Sequence, residues 1–544
     1  MTKLLSKLAI DSRILIIILT LYFGFVLNLS FWRFVSGHIE IGSFQMVIFA
    51  FSLIFFILTP FYLLLSIVTL PFLAKPLITL FLLISSAANY YMYEFGVFID
   101  TDMITNIFET TKREAFDLIT VWGFLWVFVT GVVPSVILAF TTIRYASVKR
   151  ELKIRILSAA ASLLILLTTA AASYKEYTSF GRNNREVRKL LNTINYTYST
   201  VRYFQRRALT NREFVRLDPD AKVAPFKESH KTVVVLIVGE TARADNFYIN
   251  GYEKNTNPNL AKQDIISFKN VLSCGTATAI SVPCMFSNAD REYFDVTSAK
   301  YTENLLDIAK NAGYDIFWRD NDDGCKGVCD RVPTENMLGS KNSDKFCDKE
   351  SCFDEVLIEG LEGYLSNITK DTLIILHAMG SHGPTYYKRY PDEFKVFKPT
   401  CDTAQIQNCS KEEIVNTYDN TILYTDYIIS KTIDTLRKFP DFESGLMYIS
   451  DHGESLGENN VYLHGMPYVI APKEQTKVPM ILWMSENMQK QDYIDYSCMQ
   501  EAAKTDAYSH DNIFHSFLGL LEIETKVYKK EYDIFKKCRT KELP

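Results

Sequence analysis

No cysteine precedes Cys274, although the chain contains ten. The first half can therefore hold neither a disulfide nor a thiolate metal site. In the second half no two cysteines stand at the C-x2-C spacing of a zinc module. A strong excess of one charge is also missing. Lys and Arg number 58 against 63 Asp and Glu, a net of −5, which gives no sign of a nucleic-acid partner. There is no internal repeat and no low-complexity tract to suggest a solenoid or a disordered array.

What is present divides the 544 residues in two. Before about residue 175, long apolar stretches follow one another with few charges, and after it charged and turn residues become frequent, as in a soluble domain. Five segments, 14–32, 45–70, 74–95, 120–142 and 155–173, approach the roughly 20 apolar residues that span a bilayer as a helix. Lys3, Lys7 and Arg13 precede the first, Lys75 follows the second, and Arg144, Lys149, Arg150, Lys153 and Arg155 separate the last two. The positive-inside bias makes those regions cytoplasmic and puts everything after about residue 174 on the opposite side. A cleaved signal peptide would leave four of the apolar segments unexplained. The cysteines agree, because their confinement to the second half fits an oxidising compartment. Their close spacings suggest bridges from Cys274 to Cys284, Cys325 to Cys329, Cys347 to Cys352 and Cys401 to Cys409, leaving Cys498 for Cys538. The expected organisation is a five-helix transmembrane domain over 1–174, interfacial linker helices over 175–228, and a catalytic domain over 229–544.

Two segments suit a membrane surface. Residues 101–114 have the apolar spacing of a short helix lying on the bilayer. Residues 180–207 interleave Arg182, Arg185, Arg188, Lys189, Arg202, Arg206 and Arg207 with Tyr196, Tyr198, Tyr203 and Phe204, a composition for an anionic interface. A solvated linker helix explains the second segment equally well.

From residue 232, short β-branched runs alternate with amphipathic stretches, the pattern of an α/β domain with a largely parallel sheet. Strands are expected at 232–238, 314–318, 372–376, 446–450 and 480–483, and helices near 302–312, 353–365 and 411–438. Four of these strands run directly into polar clusters: Gly239-Glu240, Arg319-Asp320-Asn321, His377 to His382, and Asp451-His452-Gly453-Glu454. Open parallel sheets bind ligands beyond the carboxyl ends of their strands, which predicts a site there.

Glu240, Asp451 and His452 are oxygen and nitrogen donors suited to a divalent metal such as zinc, with room for a hydroxyl oxygen. A phosphoester reaction needs that charge and an activated nucleophile. Thr276, Thr278 and Ser281, in a segment of Gly and small residues that leads into a helix start, are all candidates. His382, His464 and Lys326 stand near the expected cleft, and Lys326 is a candidate phosphate ligand. His510 and His515 are five apart, off a helical metal spacing, and read as structural.

These motifs resemble those of the lipid A phosphoethanolamine transferases, membrane members of the alkaline phosphatase and sulfatase superfamily that include the enzymes of transferable colistin resistance. The resemblance covers essentially the whole chain. It is carried by Val238-Gly-Glu-Thr-Ala-Arg-Ala-Asp245, the Cys274-to-Cys284 segment, Trp318-Arg-Asp-Asn321, His377-Ala-Met-Gly-Ser-His-Gly-Pro384, Ser450-Asp-His-Gly-Glu-Ser-Leu-Gly-Glu-Asn459 and Tyr462-Leu-His-Gly-Met466. It implies an α/β alkaline-phosphatase-like periplasmic domain on a bacterial inner-membrane anchor. It also implies a tightly bound Zn2+ held by Glu240, Thr278, Asp451 and His452, with Thr278 as the nucleophile that carries phosphoethanolamine. Lys326, His382 and His464 would bind the transferred phosphate, and the histidines would serve a second zinc. Asn106, Thr110 and Glu114 match positions associated with the ethanolamine headgroup. The implied donor is phosphatidylethanolamine, the acceptor lipid A, and the working unit a monomer.

Rival readings are a transferase that uses another envelope acceptor, including glycerophosphate polymer chemistry, and a non-enzymatic membrane receptor with structural zinc. A sulfatase activity is disfavoured, because no Cys/Ser-x-Pro-x-Arg segment surrounds residue 278.

Overall fold

The computed structural model describes residues 9–39, 44–110, 115, 118–173, 176–177, 180, 184–208, 213–224, 230–340, 345–348, 351–404, 406–491 and 494–540. The chain forms two compact units, one of Met1–Ile104 with Ile119–Phe204, the other of Thr105–Leu118 with Gln205–Pro544. The stretch read as a linker over 175–228 is therefore divided at Phe204, and a short excursion from the membrane half groups with the catalytic half.

The first unit is helical. Among the described residues, Phe44–Val68, Val121–Phe140 and Val148–Ala172 are long and apolar enough to cross a membrane. A fourth span results if Ser12–Val26 and Leu29–His38, bent by 55°, are one. Five spans were expected from the sequence. Ala74–Phe95 is a continuous helix, but Asn89, Tyr90, Tyr91, Tyr93 and Glu94 dilute its second half, so composition does not mark it as a span. Val148–Ala172 has only 6% of its apolar window buried, so most of its surface is left for lipid.

The bend in the first expected span is accommodated by polar side chains. A broken helix frees backbone groups that hydrocarbon cannot satisfy, so polar side chains must meet them. Asn28 Nδ2 donates to the Phe23 carbonyl at 2.7 Å and Asn89 Nδ2 to that of Val26 at 3.2 Å. Asn89 Oδ1 accepts from the Leu29 N–H at 3.2 Å, and Asn192 Nδ2 donates to the Leu27 carbonyl at 2.9 Å. Three asparagines from separate segments thus close one break.

The second unit is built on a seven-stranded sheet. Its strands are β1 (Thr232–Gly239), β2 (Ile266–Phe268), β3 (Asp315–Asp320), β4 (Thr334–Asn336), β5 (Thr372–His377), β6 (Glu443–Ser450) and β7 (Met480–Met484), in spatial order β2-β7-β6-β1-β5-β3-β4. Neighbours from β6 to β4 are parallel, whereas β7 runs antiparallel to both β6 and β2. All five expected strands are present. The short edge strands β2 and β4 carry too little pattern to be read in advance.

β1 reads Thr-Val-Val-Val-Leu-Ile-Val-Gly and is buried throughout, as a β-branched strand covered on both faces must be. Helix Lys411–Leu436 starts on a capping box between Ser410 and Glu413. The helix expected near 353–365 is instead split into Asp354–Leu357 and Leu361–Leu365, because Gly360 takes the left-handed conformation at φ +69° between them. All ten cysteines are paired, in the connectivity their spacing suggests.

Closing a long loop removes more unfolded-state entropy than closing a short one. The Cys498–Cys538 bridge spans 40 residues and Cys325–Cys329 only 4. Replacing the first pair by serine is therefore expected to cost about 4 kcal/mol of unfolding free energy and replacing the second about 2 kcal/mol. Equal shifts of the denaturant midpoint in the two double variants would contradict this order.

Candidate active site

Strand register assembles the site. Ser450 pairs with Gly239 across β6 and β1, so the next residues, Asp451 and Glu240, leave adjacent strand ends side by side. On the other flank His377 pairs with Val238 and with Asp320, which brings the ends of β5 and β3 to the same edge. The β5 loop then turns back over Glu240. Gly380 sits at φ +51°, where a Cβ would lie 2.6 Å from the Glu240 carbonyl oxygen, so only glycine fits.

Glu240, Asp451 and His452 are completely buried, and one donor atom from each lies within 4.8 Å of the others. His452 Nε2 stands 3.4 Å from Glu240 Oε1 and 3.3 Å from Asp451 Oδ2. Its other nitrogen, Nδ1, donates to the Gly453 carbonyl at 2.9 Å, so Nε2 carries the lone pair and faces the carboxylates. Burial and the neighbouring His464 hold His452 down to about 3, which keeps it neutral. Burial, then Asp451, then Asp322 push Glu240 well above the carboxylate range. Burial pushes Asp451 up to about 6. Asp451 Oδ1 accepts from the N–H groups of Thr241 at 3.1 Å and His452 at 2.6 Å, whereas Oδ2 is buried without a hydrogen-bond partner. Two crowded carboxylates, one orphaned oxygen and a neutral imidazole nitrogen fit a divalent cation.

Thr278 begins helix Thr278–Met285 and aims its hydroxyl into this cluster. Its Oγ1 donates to Glu240 Oε2 at 3.0 Å and lies 3.4 Å from His452 Nε2. The other two candidate hydroxyls are engaged elsewhere. Thr276 donates to the Met466 carbonyl at 2.6 Å, and Ser281 bonds the Asp451 carbonyl and His510 Nδ1. The Cys274–Cys284 bridge closes the loop around Thr278.

His464 and His382 form the outer wall, their rings 5.7 Å apart and the His464 ring 4.4 Å from that of His452. Glu454 orients His464 by accepting at Oε2 from its Nδ1 at 2.9 Å, while Oε1 accepts from the Tyr386 hydroxyl at 2.5 Å. Burial opposes a charge on His464, but Glu454 outweighs it and raises the group. Lys326 lines a neighbouring cavity with Pro283 and Ser287 of the segment that follows Thr278. Asn106 lies in helix Thr101–Glu109, and its carbonyl accepts from the Thr110 hydroxyl at 2.7 Å. Glu114 lies outside the described residues. His510 is structural, as its spacing suggests, and bonds the Ser450 carbonyl at 3.0 Å and the Cys274 N–H at 3.2 Å.

Sequence reasoning placed Glu454 and His377 in the polar clusters at the strand ends but gave neither a role. Glu454 was readable as the acid of the Asp-His-Gly-Glu run. His377 is fully buried, with Nδ1 donating to Asp320 at 3.1 Å and Nε2 3.6 Å from Asp322. Burial opposes its charge, yet Asp320 and Asp322 lift it to about 9. Only the register of β3 against β5 brings those three together.

The whole chain is similar to known proteins. The family model Sulfatase matches residues 232–523, and the model Phosphoethanolamine transferase EptA/EptB matches residues 55–208. The chain is 42% identical over 541 residues to the phosphoethanolamine transferase EptA of Escherichia coli strain K12, covering 99% of both chains. It is 37% identical to the phosphatidylethanolamine transferase Mcr-2 of Escherichia coli, over 82% of this chain and 84% of that one. Its structure superposes with a TM-score of 0.95 on the integral membrane lipooligosaccharide phosphoethanolamine transferase A of Neisseria meningitidis, at 39% identity, over 98% of this chain and 99% of that one.

The burial of two like charges sets a testable balance. In metal-free protein burial holds Asp451 above the ordinary carboxylate range, so over that interval the folded state holds a proton that the unfolded chain has lost. Metal-free stability should fall as pH rises through that window, and metal should bind more tightly as pH rises, because binding displaces the proton. Asp451→Asn removes one of the paired charges. It is expected to stabilise the metal-free protein by on the order of 1 kcal/mol while abolishing the rise in melting temperature on adding zinc. A variant that melts lower without metal, or still responds to zinc, would count against a shared cation site.

Proposed function

The chain belongs to the EptA family of phosphoethanolamine transferases, and from that premise we propose that it carries phosphoethanolamine from phosphatidylethanolamine to a lipid A phosphate through a covalent adduct on Thr278. It is an inner-membrane protein with its catalytic unit in the periplasm, and it acts as a monomer. The observation that carries the mechanism is the position of Thr278 Oγ1, 3.0 Å from Glu240 and 3.4 Å from neutral His452, with both rival hydroxyls occupied.

We assign zinc to Glu240, Asp451 and His452, with Thr278 Oγ1 as the fourth donor. The ion would supply the positive charge that makes a threonine hydroxyl acidic at neutral pH. Thr278 Oγ1 then attacks the donor phosphorus while its proton passes to Glu240, the carboxylate it already bonds. The bond from phosphorus to the glycerol oxygen breaks, and that oxygen leaves as diacylglycerol after taking a proton from solvent. His464, His382 and Lys326 offer hydrogen bonds and positive charge to the phosphoryl oxygens as they gain negative charge. In the second step an anionic lipid A phosphate oxygen attacks the same phosphorus, the bond to Thr278 Oγ1 breaks, and Thr278 leaves with its proton returned from Glu240. Each transfer adds an ammonium to the lipid surface and lowers its net negative charge, which weakens attraction for cationic peptides such as polymyxins.

The test is the intact mass of wild-type protein and Thr278→Ala after incubation with phosphatidylethanolamine, with diacylglycerol release assayed in parallel. Wild type is expected to gain a phosphoethanolamine-sized adduct and release diacylglycerol. Thr278→Ala should do neither while keeping its metal through Glu240, Asp451 and His452. A normal adduct on the alanine variant would remove Thr278 from the mechanism.

A further inference from the structure

The cavity beside the nucleophile helix has a second lysine on its wall. Lys300 lines it together with Lys326, Ser287 and Thr302. The backbone there is clamped, because Val215 bonds both neighbours of Thr302: its N–H donates to the Tyr301 carbonyl at 2.7 Å, and its carbonyl accepts from the Glu303 N–H at 2.9 Å. The Lys300 stem crosses Gly327, where a Cβ would lie 3.6 Å from Lys300 Cγ. Gly327 belongs to the Cys325–Cys329 loop that presents Lys326. Lys300 is thus fixed against the loop that carries a proposed phosphate ligand.

Its ammonium points to Glu109, donating to Oε1 at 2.7 Å. Glu109 ends helix Thr101–Glu109, three residues after Asn106 and one before Thr110. Independently of that bond, Thr105–Leu118 groups with the catalytic unit although the residues on both sides group with the membrane helices. The short stretch that carries Asn106 and Thr110 is therefore held by the catalytic unit, and the Glu109–Lys300 pair is a charged fastening between them.

We propose that Lys300 and Glu109 are positioning residues for the donor lipid. Their ion pair holds Asn106 and Thr110 at the rim of the Lys326 cavity, where the headgroup and the phosphate of one donor molecule are bound together. Neither residue touches the reacting phosphorus in this scheme. Their loss weakens donor capture and leaves the chemical step alone. The proposal rests on the Thr278 mechanism with phosphatidylethanolamine as donor.

The side chains are 36% and 24% exposed, and a pair that open contributes at most about a fivefold change in an equilibrium constant. The experiment uses full-length, zinc-loaded protein in mixed micelles, with the rate of adduct formation on Thr278 followed against phosphatidylethanolamine concentration. Lys300→Glu and Glu109→Lys are each expected to raise KM for the donor by about three- to fivefold, with kcat within about twofold of wild type. The double variant, which reverses the pair, should return KM to within about twofold of wild type. Metal content and melting temperature identify any variant that has lost its fold, and Lys300→Met serves as a second probe without like-charge repulsion. Unchanged KM in all single variants, or failure of the double variant to recover, would overturn the fastening. Absence of adduct in wild type would overturn the Thr278 mechanism, and the proposal with it.

Discussion

The structure is organised around the burial of two carboxylates, Glu240 and Asp451, next to each other at the end of a parallel sheet. Without a cation, like charges that close in a medium of low polarity are held together only by protonation and by the rigidity of their surroundings. The surroundings meet that demand. The N–H groups of Thr241 and His452 hold Asp451 Oδ1, and the Asp451 N–H donates to the Gly239 carbonyl at 2.9 Å. Gly380 lets the β5 loop pack against the Glu240 backbone, where the Ser381 N–H donates to its carbonyl at 3.0 Å. A divalent cation would satisfy both carboxylates at once.

The same constraint explains how the Thr278 loop is built. Thr278 must be exact in position, so its flanks are tied at several points to the elements that hold the carboxylates. Thr276 bonds Met466, the Gly465 N–H bonds the Thr276 carbonyl at 2.7 Å, Ser281 bonds Asp451, and His510 joins Cys274 to Ser450. The Cys274–Cys284 bridge closes the loop covalently. Hydroxyls that look interchangeable in the sequence have different partners in the fold, because two of them serve as struts and leave the third directed at the carboxylates.

The membrane unit obeys a different rule, in which backbone groups rather than side-chain charges must be satisfied. Asn28, Asn89 and Asn192 meet the groups freed at the break in the first helix, and they come from positions far apart in the chain. A sliding reading of apolar residues shows continuous spans and does not register such a break, because each asparagine alone is a minor dilution of an apolar run. The polar half of Ala74–Phe95 is of the same kind, since Asn89 belongs to that network.

The sequence by itself determined the break in composition and the five main strands, and it suggested the disulfide pairing and a candidate donor set. Each of these depends on local pattern: apolar length, alternation of β-branched runs with helices, cysteine spacing, and polar clusters directly after strands. What only the tertiary structure decided depends on register and on contacts between distant segments. Register made Glu240 and Asp451 neighbours and drew His377 between Asp320 and Asp322. Long-range hydrogen bonds chose Thr278 over Thr276 and Ser281, and a single ion pair placed Glu109 on Lys300 across 191 residues. The physical reason is the same throughout: a residue's type and its near neighbours establish what it is able to do, but its charge state and its partner are set by what folding packs against it.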